Sequence, residues 1–117
     1  MPKILSKNIS DPWFSLIKVG LKKVEGRLNK GDFMSLIKGD ILHITNNELG
    51  FLREYKIIVT SVHKYKSFHE YLEKEGLDKC LPSIDNIEEG VKVYYKYYSK
   101  EDETKYNIIA IRFKIMK

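Results

Sequence analysis

The sequence contains few of the residues on which disulfide frameworks, secretion signals and membrane spans depend. Cys80 is its one cysteine in 117 residues, so no internal disulfide can form, and a lone thiol favours a reducing compartment. We interpret Cys80 as a small, buried apolar residue. No apolar run approaches the roughly 18 residues of a membrane span, and residues 1–3 do not open into a signal-peptide core. These absences predict a soluble, cytoplasmic protein with no membrane segment.

The sequence also lacks the motifs of metalloenzymes and nucleotide hydrolases. Its histidines, His43, His63 and His69, stand at spacings unlike those of metal ligands. There is no H-E-x-x-H, no G-x-S-x-G and no glycine-rich phosphate loop. We therefore expect no metal and no cofactor.

Length and charge limit the organisation of the chain. A chain of 117 residues is long enough for one hydrophobic core and too short for two ordinary domains. No repeat, low-complexity segment or linker divides it, so we predict a single domain over residues 1–117. Lysine and arginine number 21 against 16 acidic residues, a net charge of +5, which permits a polyanionic partner without requiring one.

The first half of the chain predicts three strands and a helix. Asp11 and Pro12 are typical of a helix start and Gly20 of a helix end. Strands are predicted over residues 3–9, 41–45 and 51–62, the last two as a hairpin. A short helical or irregular piece is predicted over residues 33–37.

The second half predicts helices followed by a buried strand. Ser67 and Glu70 form a capping box for a helix that ends at Gly76, with a further helical turn over residues 77–81. Asp85 and Glu88 predict another helix start, with apolar spacing that continues to residue 98. Residues 100–105 are predicted to form a charged, solvated connector. The apolar run at 108–115, with Arg112 and Lys114 facing outward, predicts a central strand, so the fold class is α+β.

The segment from residue 20 to residue 27 combines charge with strand alternation. In a strand, Lys23, Glu25 and Arg27 share one face, and Val24 and Leu28 point to the other. Glu25 can hold Arg27 by a charge-assisted hydrogen bond and leave the rest of the guanidinium for a phosphate or a base edge. A solvated outer face with an ordinary surface ion pair explains the same pattern.

The order Gly20, Lys22, Glu25, Arg27 resembles the G-x-K-x-x-E-x-R signature of the ASCH domain, a branch of the PUA-like superfamily. In this chain the signature follows an apolar helix that carries Trp13, and the resemblance extends through residues 38–40 to the last strand. It implies a small PUA-like mixed β-barrel of about five to six strands with flanking short helices. It also implies a cleft for RNA or a nucleobase.

The resemblance also implies an alternative activity. Some bacterial ASCH proteins are N(4)-acetylcytidine amidohydrolases that use a lysine, a threonine and a glutamate. Lys22 matches the lysine and Glu75 roughly matches the glutamate, but Glu25 stands in the place of the threonine, and a carboxylate does not replace an activated hydroxyl. In a different hydrolytic mechanism, Glu25 is a general base on water and Lys22 stabilises the developing oxyanion. The predicted catalytic residues of this alternative are Lys22, Glu25 and Glu75.

The preferred prediction is a binding module for RNA or single-stranded nucleic acid, and the alternative is a small hydrolase that acts on RNA or on a modified nucleoside. A protein-interaction domain that docks an acidic partner is a third alternative. The predicted nucleic-acid contacts are Lys22, Lys23, Glu25, Arg27, Arg53, Lys64 and Tyr65. A solvated side chain is the more common outcome for an arginine such as Arg53, and Lys64 and Tyr65 are also typical of residues that cover a sheet edge.

Aromatic residues are abundant near the predicted site. Trp13 can stack on a base, although on a short helix beside a core a packing role is favoured. Four tyrosines at positions 94, 95, 97 and 98 cannot all face one way. Helical spacing predicts Tyr94 and Tyr98 in the core and leaves Tyr95 or Tyr97 at the rim of a ligand site.

Overall fold

Five strands form one curled sheet, which we describe from a computed structural model of residues 2–117. The strands are β1 (Ile4–Asn8), β2 (Val24–Leu28), β3 (Ile41–Asn46), β4 (Arg53–Tyr65) and β5 (Ile108–Ile115). The helices are α1 (Trp13–Lys18), α2 (Phe68–Glu75), α3 (Leu77–Cys80), α4 (Ile87–Tyr95) and α5 (Lys100–Tyr106), with a 3-10 helix at Gly31–Ser35. The α+β class and the small PUA-like barrel are therefore confirmed, as a five-stranded half-barrel with five α-helices.

The strand order is β1-β3-β4-β5-β2, which leaves β1 and β2 as the two edges. β1 runs parallel to β3, and every other pair is antiparallel. β3 and β4 form the predicted hairpin, with Ile44 opposite Tyr55. Because the sheet curls without closing, the two edge strands border a seam in which no strand pairing occurs among the described residues.

β5 separates two hydrophobic cores. Ile109 and Ile111 belong to the core inside the curl, and Ile108 and Ala110 belong to the core between the sheet and the helices. A strand that is buried on both faces reads as a continuous apolar run, so the predicted central strand is confirmed. Arg112, which follows this apolar run, is exposed.

Helices close both cores. Inside the curl, Phe14 of α1 packs 4.8 Å from the ring of Tyr55, whose hydroxyl donates to the Phe14 carbonyl at 2.8 Å. Outside the curl, Phe68 of α2 stacks on Tyr94 of α4 with ring centroids 4.6 Å apart. Ser67 caps α2 as predicted, since its hydroxyl accepts from the amide of Glu70 at 3.0 Å.

The prediction of a solvated connector at residues 100–105 is wrong, because these residues form α5. Ser99 caps the helix by accepting from the Asp102 amide at 3.1 Å. Glu103 is buried and accepts from the Phe68 amide at 2.7 Å and from the Tyr95 hydroxyl at 2.6 Å. These bonds, one of them to a residue 35 positions earlier, fix a helix that its charged composition did not indicate.

The boundaries of α4 also differ from the prediction. The helix is capped by Asn86, which accepts from the Glu89 amide at 2.9 Å, and not by Asp85. It ends at Tyr95, and the chain then turns at residues 96–98. Among the described residues, no helix has the length and apolar character needed to cross a membrane.

Candidate functional site

A cleft of about 140 Å³ lies in the seam between the edge strands. One wall comes from the end of β1 and the residues that follow it, and the other wall comes from β2. Aromatic residues of α1 and of the chain at the end of α4 complete it. Its polar lining residues are Asn8, Ser10, Lys22, Glu25 and Arg27, and its aromatic lining residues are Trp13, Tyr94, Tyr97 and Tyr98.

Lys22 lies at the base of the cleft and is only 2% exposed. Its ammonium donates to the carbonyl of Val24 at 2.8 Å and to the carbonyl of Cys80, and it lies 3.4 Å from Oε1 of Glu25. Burial lowers the pKa of Lys22, although Glu25 opposes this effect. An ammonium has three hydrogens; two of them are bonded to these carbonyls, and the charge is paired with Glu25.

Glu25 lies between two cations and is 8% exposed. Its Oε2 accepts from Nε of Arg27 at 3.0 Å. Burial alone would raise the pKa of Glu25, but Arg27 and Lys22 outweigh it and lower the pKa below the usual value. The carboxylate is therefore ionised at neutral pH. The predicted hold of Glu25 on Arg27 is confirmed, and the alternative of a solvated outer face is wrong for Glu25.

Arg27 is the cation of the cleft that has nitrogen atoms to offer a ligand. Only its Nε atom is bonded to a carboxylate among residues 2–117. Burial would lower the pKa of Arg27, but Glu25 and the hydroxyl of Tyr98 raise it. Its guanidinium also lies 5.5 Å from the ring centroid of Phe33. A guanidinium that is held at its Nε atom presents its other nitrogen atoms for bidentate hydrogen bonding.

The aromatic lining combines buried and exposed rings. Trp13 packs against both cores and also lines the cleft, so the favoured packing role is confirmed and a cleft surface is added to it. Tyr94 is buried, with its hydroxyl 3.0 Å from that of Tyr71. Tyr97 lies at the rim with 60% of its surface exposed. Tyr95 is turned away from the cleft by its bond to Glu103.

Glu75 does not line the cleft. It accepts two bonds from Arg112, at 2.8 and 3.0 Å, and a third from the hydroxyl of Tyr65. Burial would raise the pKa of Glu75, but these bonds lower it. Burial together with the bond to Glu75 raises the pKa of Tyr65 to about 12.

Glu75 lines a separate depression with Lys23. Lys23 is there because β2 begins at Val24, so strand alternation does not extend to it.

The other two predicted contacts also lie away from the cleft. Arg53 donates to Asp11 at 2.6 Å and to Asn46 at 2.8 Å, which ties β4 to the start of α1. Lys64 is exposed on β4, opposite Ile109 of β5. The structure therefore brings Lys22, Glu25 and Arg27 together and leaves Lys23, Arg53, Lys64, Tyr65 and Glu75 elsewhere.

Sequence reasoning missed the wall of the cleft that β1 contributes. Asn8 and Ser10 line it across from Glu25, but nothing in their own sequence distinguishes them from other polar residues near a strand end. Only the placement of β1 and β2 at opposite edges of a curled sheet could have indicated them. Within the described residues, no group of three or more histidine, cysteine or acidic residues could hold a metal ion.

Comparisons with known proteins give relatives among solved structures and a family model. No curated protein matches the sequence. The chain is similar to the hypothetical protein PH0355, known from a crystal structure, at 38% identity and a TM-score of 0.85 over 97% of this chain and 99% of that one. It is also similar to protein PF0455 from Pyrococcus furiosus, known from a solution NMR structure, at 35% identity and a TM-score of 0.78 over 97% and 98% of the two chains. A family model described as the ASCH domain matches residues 8–117, and the chain therefore belongs to the ASCH domain family.

Proposed function

We propose that the protein binds single-stranded RNA and takes one unstacked base into the cleft between β1 and β2. One observation supports this most directly: the cleft combines a volume of about 140 Å³ with aromatic walls and charged residues at its bottom. A cavity of about 150 Å³ holds one benzene ring, so the volume suits a single planar ring. Unstacked bases are recognised by stacking on aromatic side chains and by hydrogen bonds to their edges.

The charged residues at the bottom of the cleft suit the edge of a nucleobase. Glu25 is ionised and accepts hydrogen bonds only, whereas Arg27 donates only. Adjacent acceptor and donor groups match the mixed donors and acceptors on the edge of a base. Lys22 serves here as a positioning residue, because its ammonium is bonded to the carbonyls of Val24 and Cys80 and its charge is paired with Glu25.

The same contacts favour binding over the hydrolase alternative. A general base works best with a pKa near the working pH, but Arg27 and Lys22 lower the pKa of Glu25. Lys22 would have to give up a protein acceptor to stabilise an oxyanion. Glu75 is engaged by Arg112 and Tyr65 outside the cleft.

The predicted contacts that lie outside the cleft differ in whether they are free to meet a phosphate. Lys23 and Lys64 are exposed and would meet backbone phosphates only if the strand extends beyond the cleft. Arg53 and Tyr65 hold carboxylates of the protein itself, so we propose that their main role is structural.

The test compares the wild-type protein with Arg27→Gln for binding to a short single-stranded RNA across a salt series. We expect Arg27→Gln to lower the affinity at least roughly tenfold, because it removes donors to the edge of the base, and we expect the wild-type affinity to fall as the salt concentration rises. Lys114→Gln is the matched control, since Lys114 is exposed on β5 and does not line the cleft. Equal losses in both variants would reject the cleft as the binding site.

The hydrolase alternative is tested in parallel with N(4)-acetylcytidine as substrate. We expect no release of product from the wild-type protein. Product that forms with wild type and disappears in Glu25→Gln would overturn the binding proposal in favour of the alternative.

A further inference from the structure

A second depression continues from the cleft along the same seam. We call it the basic groove, and its main lining residues are Lys7, Arg27, Lys30, Asp32, Phe33 and Tyr98. Arg27 and Tyr98 line both depressions, so the groove and the cleft meet at these two side chains. The cleft and the groove are therefore neighbouring parts of one surface.

The two depressions follow one another along both edge strands. On the β1 side, Lys7 lines the groove and Asn8 begins the lining of the cleft. On the β2 side, Glu25 lines the cleft and Leu28 lines the groove. Three residues of strand span about 10 Å, which is within the reach of one nucleotide from its base to a flanking phosphate.

The groove carries an excess of positive charge. It presents Lys7, Arg27 and Lys30 against one acid, Asp32. Lys7 lies 3.3 Å from Asp32, whose side chain is 63% exposed, and exposed pairs of this kind are weak. Lys30 lies over the ring of Tyr106 at 5.0 Å and has no carboxylate partner among residues 2–117. A phosphate can therefore engage both lysines without breaking a strong ion pair.

We propose that the basic groove binds the phosphate of the nucleotide whose base occupies the cleft. The ligand class is then a nucleotide within a strand, or a nucleoside monophosphate, and not a free nucleoside. Arg27 joins the two subsites, because Glu25 holds its Nε atom while the other nitrogen atoms of its guanidinium are left for a phosphate oxygen. This inference rests on the proposed function.

A second cluster of lysines provides the matched control. Lys23, Lys74 and Lys79 surround the Glu75–Arg112 pair in a depression that shares no residue with the cleft or the basic groove. These lysines offer the same charge at a site that a base in the cleft does not adjoin.

The experiment measures the affinity of each common ribonucleoside and of its 5′- and 3′-monophosphates by calorimetry. For the wild-type protein we expect one of the monophosphates to bind roughly tenfold more tightly than its nucleoside. The variant Lys7→Gln/Lys30→Gln should remove this preference and leave nucleoside affinity unchanged. The control Lys74→Gln/Lys79→Gln should keep the preference.

The same variants are tested with a short single-stranded RNA across a salt series. We expect the groove variant, and not the control, to reduce the salt slope by about 0.7, because one phosphate is no longer neutralised. Lys30→Gln alone, at an exposed position, serves as a second variant if the double substitution impairs folding, and thermal melting checks each protein.

The outcomes separate the two proposals. If the wild-type protein binds RNA but the groove variant keeps full affinity, or if the control loses as much, the groove inference fails and the proposed function stands. If wild type binds neither RNA nor any nucleotide, the proposed function fails and the groove inference fails with it.

Discussion

The ammonium of Lys22 lies 3.4 Å from Oε1 of Glu25, and both side chains are almost completely shielded from water. The same ammonium donates to the carbonyl of Cys80 and so joins the entry of β2 to the end of α3. Glu25 in turn holds Arg27. The chain of contacts runs from a buried lysine through a carboxylate to an arginine that lines the cleft, so the first two residues orient the third.

We expect Lys22→Met to lower the free energy of unfolding by about 3 to 5 kcal/mol, because it leaves Glu25 buried with one fewer cation. Glu25→Gln should also destabilise, since it leaves Lys22 without its acid. The double variant should cost less than the sum of the two, because the residues interact directly. Denaturation in urea measures all three.

The neighbouring Lys23→Met is the control, since Lys23 is exposed and surface substitutions usually change stability by less than about 0.5 kcal/mol. Equal effects of Lys22→Met and Lys23→Met would contradict the role assigned to the buried pair.

Glu75 gives a prediction about pH. Bonds from Arg112 and Tyr65 lower the pKa of Glu75 below its ordinary value of 4.5 despite burial. A carboxyl whose pKa is lowered by folding stabilises the protein above its ordinary pKa, and this contribution is lost as the pH falls through the folded value. We expect Glu75→Gln to cost about 1.5 to 3 kcal/mol at neutral pH and progressively less below pH 4.5.

The measurement is urea denaturation of both proteins at a series of pH values, with RNA affinity measured beside it at neutral pH. A cost that stays constant into the acid range would contradict the ionised state of Glu75. Unchanged RNA affinity is expected, because Glu75 does not line the cleft.

Gly26 is expected to be intolerant of any side chain. A Cβ atom at this position would lie 2.5 Å from Cζ of Tyr71, whose ring is fully buried. We expect Gly26→Ala to cost about 1 to 3 kcal/mol through overpacking. Gly90→Ala is the matched comparison, since its nearest neighbours are the flexible tips of leucine side chains, the closest at 2.9 Å on Leu72.

Gly90 also lies inside α4, where alanine is favoured over glycine by about 1 kcal/mol. The net change in the free energy of unfolding for Gly90→Ala should therefore be small. Thermal melting of the two variants decides the matter, and a larger loss for Gly90→Ala than for Gly26→Ala would refute the ranking.

The features that could be predicted from sequence are those that local spacing determines. Glu25 and Arg27 are two residues apart in a strand, so alternation alone places them side by side. Ser67 and Glu70 have the spacing of a cap, and α2 begins where that spacing predicts. The apolar run of β5 indicates burial on both faces without reference to any other segment.

The features that could not be predicted depend on contacts between distant segments. Glu75 matches the family glutamate roughly by position, but its partner Arg112 lies 37 residues away. α5 has few apolar residues, and the buried acceptor Glu103 fixes it to the amide of Phe68, 35 residues earlier. The β1 wall of the cleft exists because the sheet curls until Asn8 faces β2. No short window of sequence contains these relationships.

The rim of the cleft gives the sharpest prediction about binding. Tyr97 is 60% exposed and lines the cleft, so its ring is available to a base and adds little to the core. Stacking of one base on an aromatic ring is worth about 1 to 3 kcal/mol by alanine substitution. We therefore expect Tyr97→Ala to weaken RNA binding by roughly 5-fold to 150-fold and to leave the melting temperature nearly unchanged.

Phe51→Ala is the matched control for Tyr97→Ala. Phe51 is 58% exposed on the loop between β3 and β4 and does not line the cleft. The substitution therefore removes a similar aromatic ring without removing the proposed stacking surface. Tyr97→Phe should retain most of the affinity, because stacking needs the ring and not the hydroxyl. Fluorescence anisotropy with one short RNA measures all three variants. If Tyr97→Ala and the wild-type protein bind the RNA with equal affinity, the rim is not part of the binding surface, and recognition is confined to the charged residues at the bottom of the cleft.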